Sequence, residues 1–214
     1  MAMSTSAQPA VFLDKDGTLI ENVPYNVDPA KLRLTAHAPE ALRMLSEAGY
    51  ALVVVSNQPG LALGYFDRHA WMVLRQALID LVEQTSGVVL RDVLACPHAP
   101  ASPSRPSCLC RKPSPGLLRQ AAVRHHLDLS ESWMVGDILD DVEAGRRAGC
   151  RSLLMDVGNE TEWRLSPLRE PEHRVHDLLE AACWIMAPSA LPQRRSLRSI
   201  PHACQEATAQ GLMP

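Results

Sequence analysis

The stretch Val11-Phe12-Leu13-Asp14-Lys15-Asp16-Gly17-Thr18-Leu19 constrains the fold more than any other part of the chain. The apolar run ahead of Asp14 reads as a buried strand, and Asp16-Gly17 reads as the turn that ends it. Carboxylates at i and i+2 leave a strand on the same side of the pleat. Two acids that close need a cation, a shared proton or separate tasks. A plain hairpin would also use Asp-Gly at its turn. The rest of the chain favours a site over a hairpin.

Ala51-Leu-Val-Val-Val-Ser56 is a continuous apolar, β-branched run, the mark of a strand buried on both faces. Further strands are expected over 10–13, 88–95, 132–135 and 151–155. Helices are expected over 39–48, 67–85, 116–127, 140–148 and 175–187, where apolar residues repeat at helical spacing, as Leu74, Leu78 and Val82 do. Asp140, with Glu143 three residues on, suits the N-cap of the fourth helix. Pro24 and Pro29 make 20–34 a long loop. Strands alternating with helices imply an α/β fold: an open, mainly parallel, Rossmann-like sheet with helices on both faces. The expected domain is 1–187, including a loop over 96–110. Beyond it Pro, Ser, Arg and Gln dominate, and 188–214 reads as a flexible tail.

The net charge of −3 disfavours a nucleic-acid partner, which needs a basic face. No apolar run approaches a membrane span, and the N-terminus lacks a signal pattern. A cytoplasmic monomer is expected. Of six cysteines, Cys150 and Cys183 sit in apolar contexts as buried small hydrophobes, and Cys204 falls in the tail as an exposed thiol. The other three cluster with His98. Cys96-Pro-His98 and Cys108-Leu-Cys110 supply three thiols and one imidazole, a closed tetrahedral set for a structural Zn²⁺. A loop holding Pro97, Pro100, Pro103 and Pro106 has too little apolar surface to order itself without such a brace. Other residues have duller readings. His125-His126 suits a solvated helix end, Trp71 and Trp133 suit packing, and 159–163 suits a surface loop. Arg194, Arg195 and Arg198 belong to the tail.

Polar residues collect where the expected strands end: Asp14 and Asp16, Ser56 and Asn57, Asp137 and Asp141. Phosphoryl transfer needs an in-line nucleophile, a metal to offset charge, and donors around the equatorial oxygens. Asp14 can be the nucleophile, forming an aspartyl phosphate. Asp16 can protonate the leaving oxygen and later activate water. Asp137 can give a second carboxylate to Mg²⁺. Ser56 can hydrogen-bond a phosphoryl oxygen, Asn57 beside it is expected to bind the phosphate or substrate as well, and Lys112 can place positive charge against the phosphate and Asp14.

Asp14-x-Asp16-Gly17-Thr18, then Ser56, then Lys112, then Gly136-Asp137-x-x-x-Asp141 resemble the four ordered motifs of the haloacid dehalogenase-like phosphohydrolases, over 11–155. That resemblance implies Asp14 as nucleophile and Asp16 as acid/base. It implies Mg²⁺ held by Asp14, the backbone carbonyl of Asp16, and Asp137. It puts Ser56 and Lys112 on the phosphoryl group, with Asp141 as a supporting carboxylate. The zinc-loop pattern running into Arg111-Lys112-Pro113, with 16–26 and Ser56-Asn57-Gln58-Pro59-Gly60, resembles the branch of heptose-bisphosphate and histidinol-phosphate phosphatases. The branch implies no large cap domain, and loops that shape access. It also implies a small phosphorylated substrate, a sugar bisphosphate first and histidinol phosphate or another small phosphomonoester as the alternative. Members often carry a basic residue where this chain has Leu63, and again where it has Ile138. Arg111, adjacent to Lys112, is expected to reach a second phosphate. Two other classes fit less well. A phospho-receiver has no need of Asp16, and a zinc-loop binding module for nucleic acid is at odds with the acidic balance.

Overall fold

The computed structural model describes residues 7–102 and 108–187. The expected tail, with Cys204 and its arginines, lies outside the described residues, as do Pro103 and Pro106. Six strands form one parallel sheet: β1 (Gln8–Leu13), β2 (Ala51–Asn57), β3 (Asp92–Cys96), β4 (Leu127–Gly136), β5 (Arg151–Met155) and β6 (His173–Val175). Their order is β3-β2-β1-β4-β5-β6. The chain winds outward from β1 on one side, then crosses back to start again at β4. Ligands in open sheets of this kind bind beyond the carboxyl ends of the strands, at the crevice where the order reverses. Here that crevice lies between β1 and β4.

Helices cover both faces because the strand side chains alternate between two apolar clusters. Val11, Leu13, Leu52, Val54 and Val135 pack with α1 (Ala38–Glu47), α3 (Arg68–Ser86) and α6 (Leu178–Met186). Ala10, Phe12, Val53, Val55 and Met134 pack with α4 (Gly116–His125) and α5 (Leu139–Ala148). A single turn, α2 (Gly60–Leu63), follows β2. Among the described residues no helix is long and apolar enough to cross a membrane. Trp71 and Trp133 are buried in the larger cluster, and Cys150 and Cys183 are buried too.

Several boundaries differ from the sequence expectation. β4 begins at Leu127, five residues early, because Leu127 and Asp128 pair with Gln8 and Pro9. His126 adopts a left-handed conformation (φ 57°) that ends α4 and releases the chain into that strand. Asp140 is not the cap of α5. Ile138 holds the N-cap position, and the Asp141 carboxylate accepts its backbone N–H at 3.3 Å. Asp140 instead pairs with Arg169 at 2.6 Å. The last helix starts at Leu178 rather than 175, because 173–175 forms the edge strand β6 and Asp177 caps the helix. His125 is not simply solvated: its Nε2 lies 2.8 Å from the Asp92 carboxylate.

Candidate active site

Four strands deliver polar residues to one edge of the sheet. Asp14 follows β1, Ser56 and Asn57 end β2, Cys96 ends β3, and Asp137 follows β4. After β1 the backbone folds tightly on itself, with the Leu19 and Ile20 N–H groups donating to the Lys15 carbonyl. Gly17 makes this possible. Its φ is +87°, and a Cβ there would lie 2.3 Å from Asp137 Oδ2 and 2.5 Å from Asn159 Nδ2. The loop therefore lies directly against the β4 carboxylate. Thr18 Oγ1 donates to Asp137 Oδ1 at 3.2 Å, and Asn159 Nδ2 donates to Asp137 Oδ2 at 2.7 Å.

Lys112 reaches the crevice fully buried. Its ammonium bonds Asp14 Oδ1, lies 2.6 Å from Asp141 Oδ1, and donates to the Val55 carbonyl at 2.9 Å. Burial alone would lower its pKa, but Asp14 and Asp141 outweigh burial and hold the group protonated. Asn57 fixes the backbone behind it: Asn57 Nδ2 donates to the Lys112 carbonyl at 3.1 Å, and the Lys112 N–H donates to Asn57 Oδ1 at 3.0 Å. Both polar atoms of the Asn57 side chain are thus engaged by Lys112. Gly136 lets α5 approach, since a Cβ there would meet the Asp141 side chain at 2.3 Å.

The carboxylate oxygens of Asp14, Asp137 and Asp141 lie within 4.8 Å of one another. Burial pushes Asp137 up to about 6, Asp14 adds to the rise, and Asn159 opposes it. Burial likewise raises Asp141, against the pull of Lys112. One buried ammonium against three buried carboxylates leaves the pocket negative and rich in oxygen donors, a set that fits Mg²⁺. Asp16 sits at the mouth, partly exposed. Its Oδ1 takes the Lys15 ammonium at 2.7 Å and its Oδ2 takes Gln58 Nε2 at 3.0 Å. Gln58 Nε2 also donates to Ser56 Oγ at 2.9 Å. A cleft of about 330 Å³ opens beside this edge, lined by Gly17, Glu21, Asn22, Thr35, Asn159 and Asp177 among others.

The Cys/His loop comes together as one cluster. Cys96, Cys108 and Cys110 have sulfur–sulfur distances of 3.5, 3.2 and 3.5 Å. His98 Nδ1 lies 3.5 Å from Cys96 Sγ and 3.3 Å from Cys110 Sγ. Zinc–sulfur bonds of about 2.3 Å in a tetrahedron span edges of about 3.8 Å, so the four donors need only a slight expansion to take the ion. The Arg111 N–H donates to Cys108 Sγ at 3.3 Å, and its guanidinium reaches the His98 carbonyl at 3.4 Å. The cluster thereby holds the chain one residue before Lys112.

Sequence reasoning gave no role to Lys15, Thr18 or Gln58. It read Asn159 and Glu160 as surface loop, whereas Glu160 Oε2 accepts the Leu139 N–H at the start of α5 at 2.7 Å. Thr18 and Gln58 stood inside the quoted motifs, so their nearness to the site was a usable signal. Asn159 and Glu160 gave none beyond following β5.

A parallel sheet with an acidic crevice at its switch point and a buried lysine across it suits phosphoryl transfer, and the relatives of the chain give the class of enzyme. Residues 109–181 match the HAD-hydrolase-like family. A D-glycero-beta-D-manno-heptose-1,7-bisphosphate 7-phosphatase of Mesorhizobium japonicum is 37% identical over 182 residues, covering 81% of this chain and 82% of that protein. A D-glycero-D-manno-heptose-1,7-bisphosphate 7-phosphatase of Thermosynechococcus vestitus is 35% identical over 83% of this chain and 95% of its own length. Among solved structures, D,D-heptose 1,7-bisphosphate phosphatase of B. bronchiseptica, complexed with magnesium and phosphate, superimposes with a TM-score of 0.68 at 28% identity. It covers 83% of this chain and 98% of its own. The chain belongs to the haloacid dehalogenase-like phosphatases, within the heptose-bisphosphate phosphatase branch. It is a phosphoric monoester hydrolase.

Proposed function

We propose that this phosphatase removes the 7-phosphate of D-glycero-D-manno-heptose 1,7-bisphosphate through an aspartyl phosphate on Asp14. The observation that carries the chemistry is the buried Lys112 ammonium seated between Asp14 and Asp141 at the crevice. The substrate is supported by the activity for which the relatives are named. An Asp14 oxygen attacks phosphorus, and the ester P–O bond breaks. The leaving oxygen takes its electron pair and a proton from the Asp16 carboxyl. The Asp16 carboxylate then takes a proton from water, whose oxygen attacks phosphorus and frees Asp14 with release of phosphate.

Lys112 offsets charge on the phosphoryl oxygens. Ser56 Oγ accepts from Gln58, so its own hydroxyl hydrogen is free to point at one of them. Asn57 keeps Lys112 in register through its backbone. Mg²⁺ held by Asp14, the Asp16 carbonyl and Asp137 would supply electrostatic stabilisation of the transferring group. Asp141 supports Lys112. Zn²⁺ held by Cys96, His98, Cys108 and Cys110 would brace the loop that delivers Arg111 and Lys112, with every coordination position closed.

Arg111 lies beside Lys112, and a planar guanidinium suits a second phosphate. A charge-assisted contact of about 1.5–3 kcal/mol corresponds to a preference of about tenfold to 150-fold. The expected result is that kcat/KM for the 1,7-bisphosphate exceeds that for the 7-phosphate by this margin. Arg111→Ala should erase most of the difference while sparing the monophosphate. Equal values on the wild type, with faster turnover of histidinol phosphate, would favour the monoester alternative.

A further inference from the structure

Lys15 stands between the two acids of the site and belongs to no step above. It follows the end of β1 in the turn, and its side chain runs into the body of the molecule toward α3. Only 1% of the residue is exposed. Its ammonium sits 5.8 Å from the centre of the Trp71 ring, on the first turn of α3, and then turns back to Asp16 Oδ1 at 2.7 Å. Among the described residues this is the one ion pair Lys15 makes. A buried ammonium is costly, and a chain rarely keeps one without a partner that needs it. The partner here is the carboxyl group that faces the mouth of the site.

The contacts of Asp16 divide between its two oxygens. Gln58 holds Oδ2 and, through the same amide nitrogen, the Ser56 hydroxyl. Without Lys15, Oδ1 has no ion-pair partner among the described residues, and a carboxyl anchored at one oxygen rotates about its Cβ–Cγ bond. With Lys15, Oδ1 remains an acceptor whether or not Oδ2 carries a proton. Trp71 and the burial of the lysine stem fix where the ammonium can be, so the orientation of Asp16 is set from the packing of α3 against the sheet.

We infer that Lys15 is a positioning residue, whose ammonium aims the Asp16 carboxyl at the leaving oxygen of the substrate. The inference rests on Asp16 acting as the general acid. General acid catalysis contributes about 10²–10⁴-fold, and only where the leaving group needs a proton. A sugar alkoxide is a strong base and needs one. p-Nitrophenolate is a weak base and leaves without help. Loss of aim therefore costs more on the sugar ester, whereas loss of fold costs both esters alike.

The test is kcat/KM, which reports steps through departure of the leaving group and excludes the hydrolysis that both esters share. Heptose 1,7-bisphosphate and p-nitrophenyl phosphate are compared on the wild type, Lys15→Met, Lys15→Arg and Asp16→Asn. Lys15→Met keeps an apolar stem over Trp71 and removes the charge. The expected result is a loss about tenfold or more greater on the sugar ester than on the nitrophenyl ester, with most of it regained in Lys15→Arg. Asp16→Asn should show the same selectivity more strongly. Equal losses on both esters in Lys15→Met, or none on either, would overturn the inference while Asp16→Asn still discriminates. If Asp16→Asn does not discriminate, the general-acid reading itself falls, and that outcome is distinct from the first.

Discussion

Asp137 is held by more of the molecule than its place in the chain suggests. Thr18 comes to it from the loop after β1 and Asn159 from the segment after β5, one on each oxygen. The sequence showed Asp137 at a strand end, and it showed Thr18 in the first motif. It gave no sign of Asn159, because a contact across 22 residues depends on how two loops meet above the sheet. Gly17 is the residue through which that meeting is most easily disturbed. Gly17→Ala would set a Cβ 2.3 Å from Asp137 Oδ2 in a left-handed backbone conformation. The expected outcome is a loss of about a hundredfold in kcat/KM, since small misplacements at a reacting centre cost that much. Thermal unfolding should show a cost of about 1–3 kcal/mol as well. An alanine variant with wild-type turnover would mean that the loop does not need to lie against Asp137.

Whole elements are tied down by buried charge as well as by apolar packing. Asp92, at the start of β3, accepts from Arg75 of α3 and from Arg124 and His125 of α4. Burial pushes its carboxyl up, but His125, Arg124 and Arg75 outweigh that and hold it below the ordinary carboxylate range. A carboxylate whose pKa is depressed by folding stabilises the folded state above its unfolded pKa, and that contribution disappears as pH falls through the folded value. Asp92→Ala should therefore cost about 2 kcal/mol near pH 7. Chemical denaturation of the two proteins should converge as the pH falls below about 4. An unchanged difference at pH 3 would contradict this account. The loop holding the Cys/His cluster is the second element to test. Metal analysis should find one zinc per chain. Cys108→Ser should lose most of it and lower activity with little change in the far-ultraviolet spectrum, because Lys112 is misplaced while the sheet is not. Full zinc content together with full activity in that variant would refute the bracing role.

At the scale of the whole molecule, the apolar runs carried the architecture. Strands buried on both faces, such as Ala51–Asn57, read directly because both neighbouring layers demand apolar residues. The edge strand β6, His173–Val175, did not, since a short strand with polar and charged residues has no such pattern. The first half of β4 was missed for a related reason: Asp128 and Ser130 look like a turn until Gln8 and Pro9 are there to pair with. The carboxylate edge was legible because its residues follow the strongest strands. The hydrogen bonds that aim those residues, from Lys15, Gln58 and Asn159, depended on the finished packing. In the proposed mechanism Asp14 is the group that receives the phosphoryl, and among the described residues its ion-pair partner is Lys112. The direct measurement is turnover of heptose 1,7-bisphosphate with Mg²⁺ by Asp14→Asn beside the wild type, with the fold checked by circular dichroism and deamidation excluded by mass. The account predicts an intact fold and turnover at the level of the uncatalysed background, because an amide cannot take the place of the carboxylate nucleophile. Hydrolysis by Asp14→Asn at the wild-type rate would contradict it.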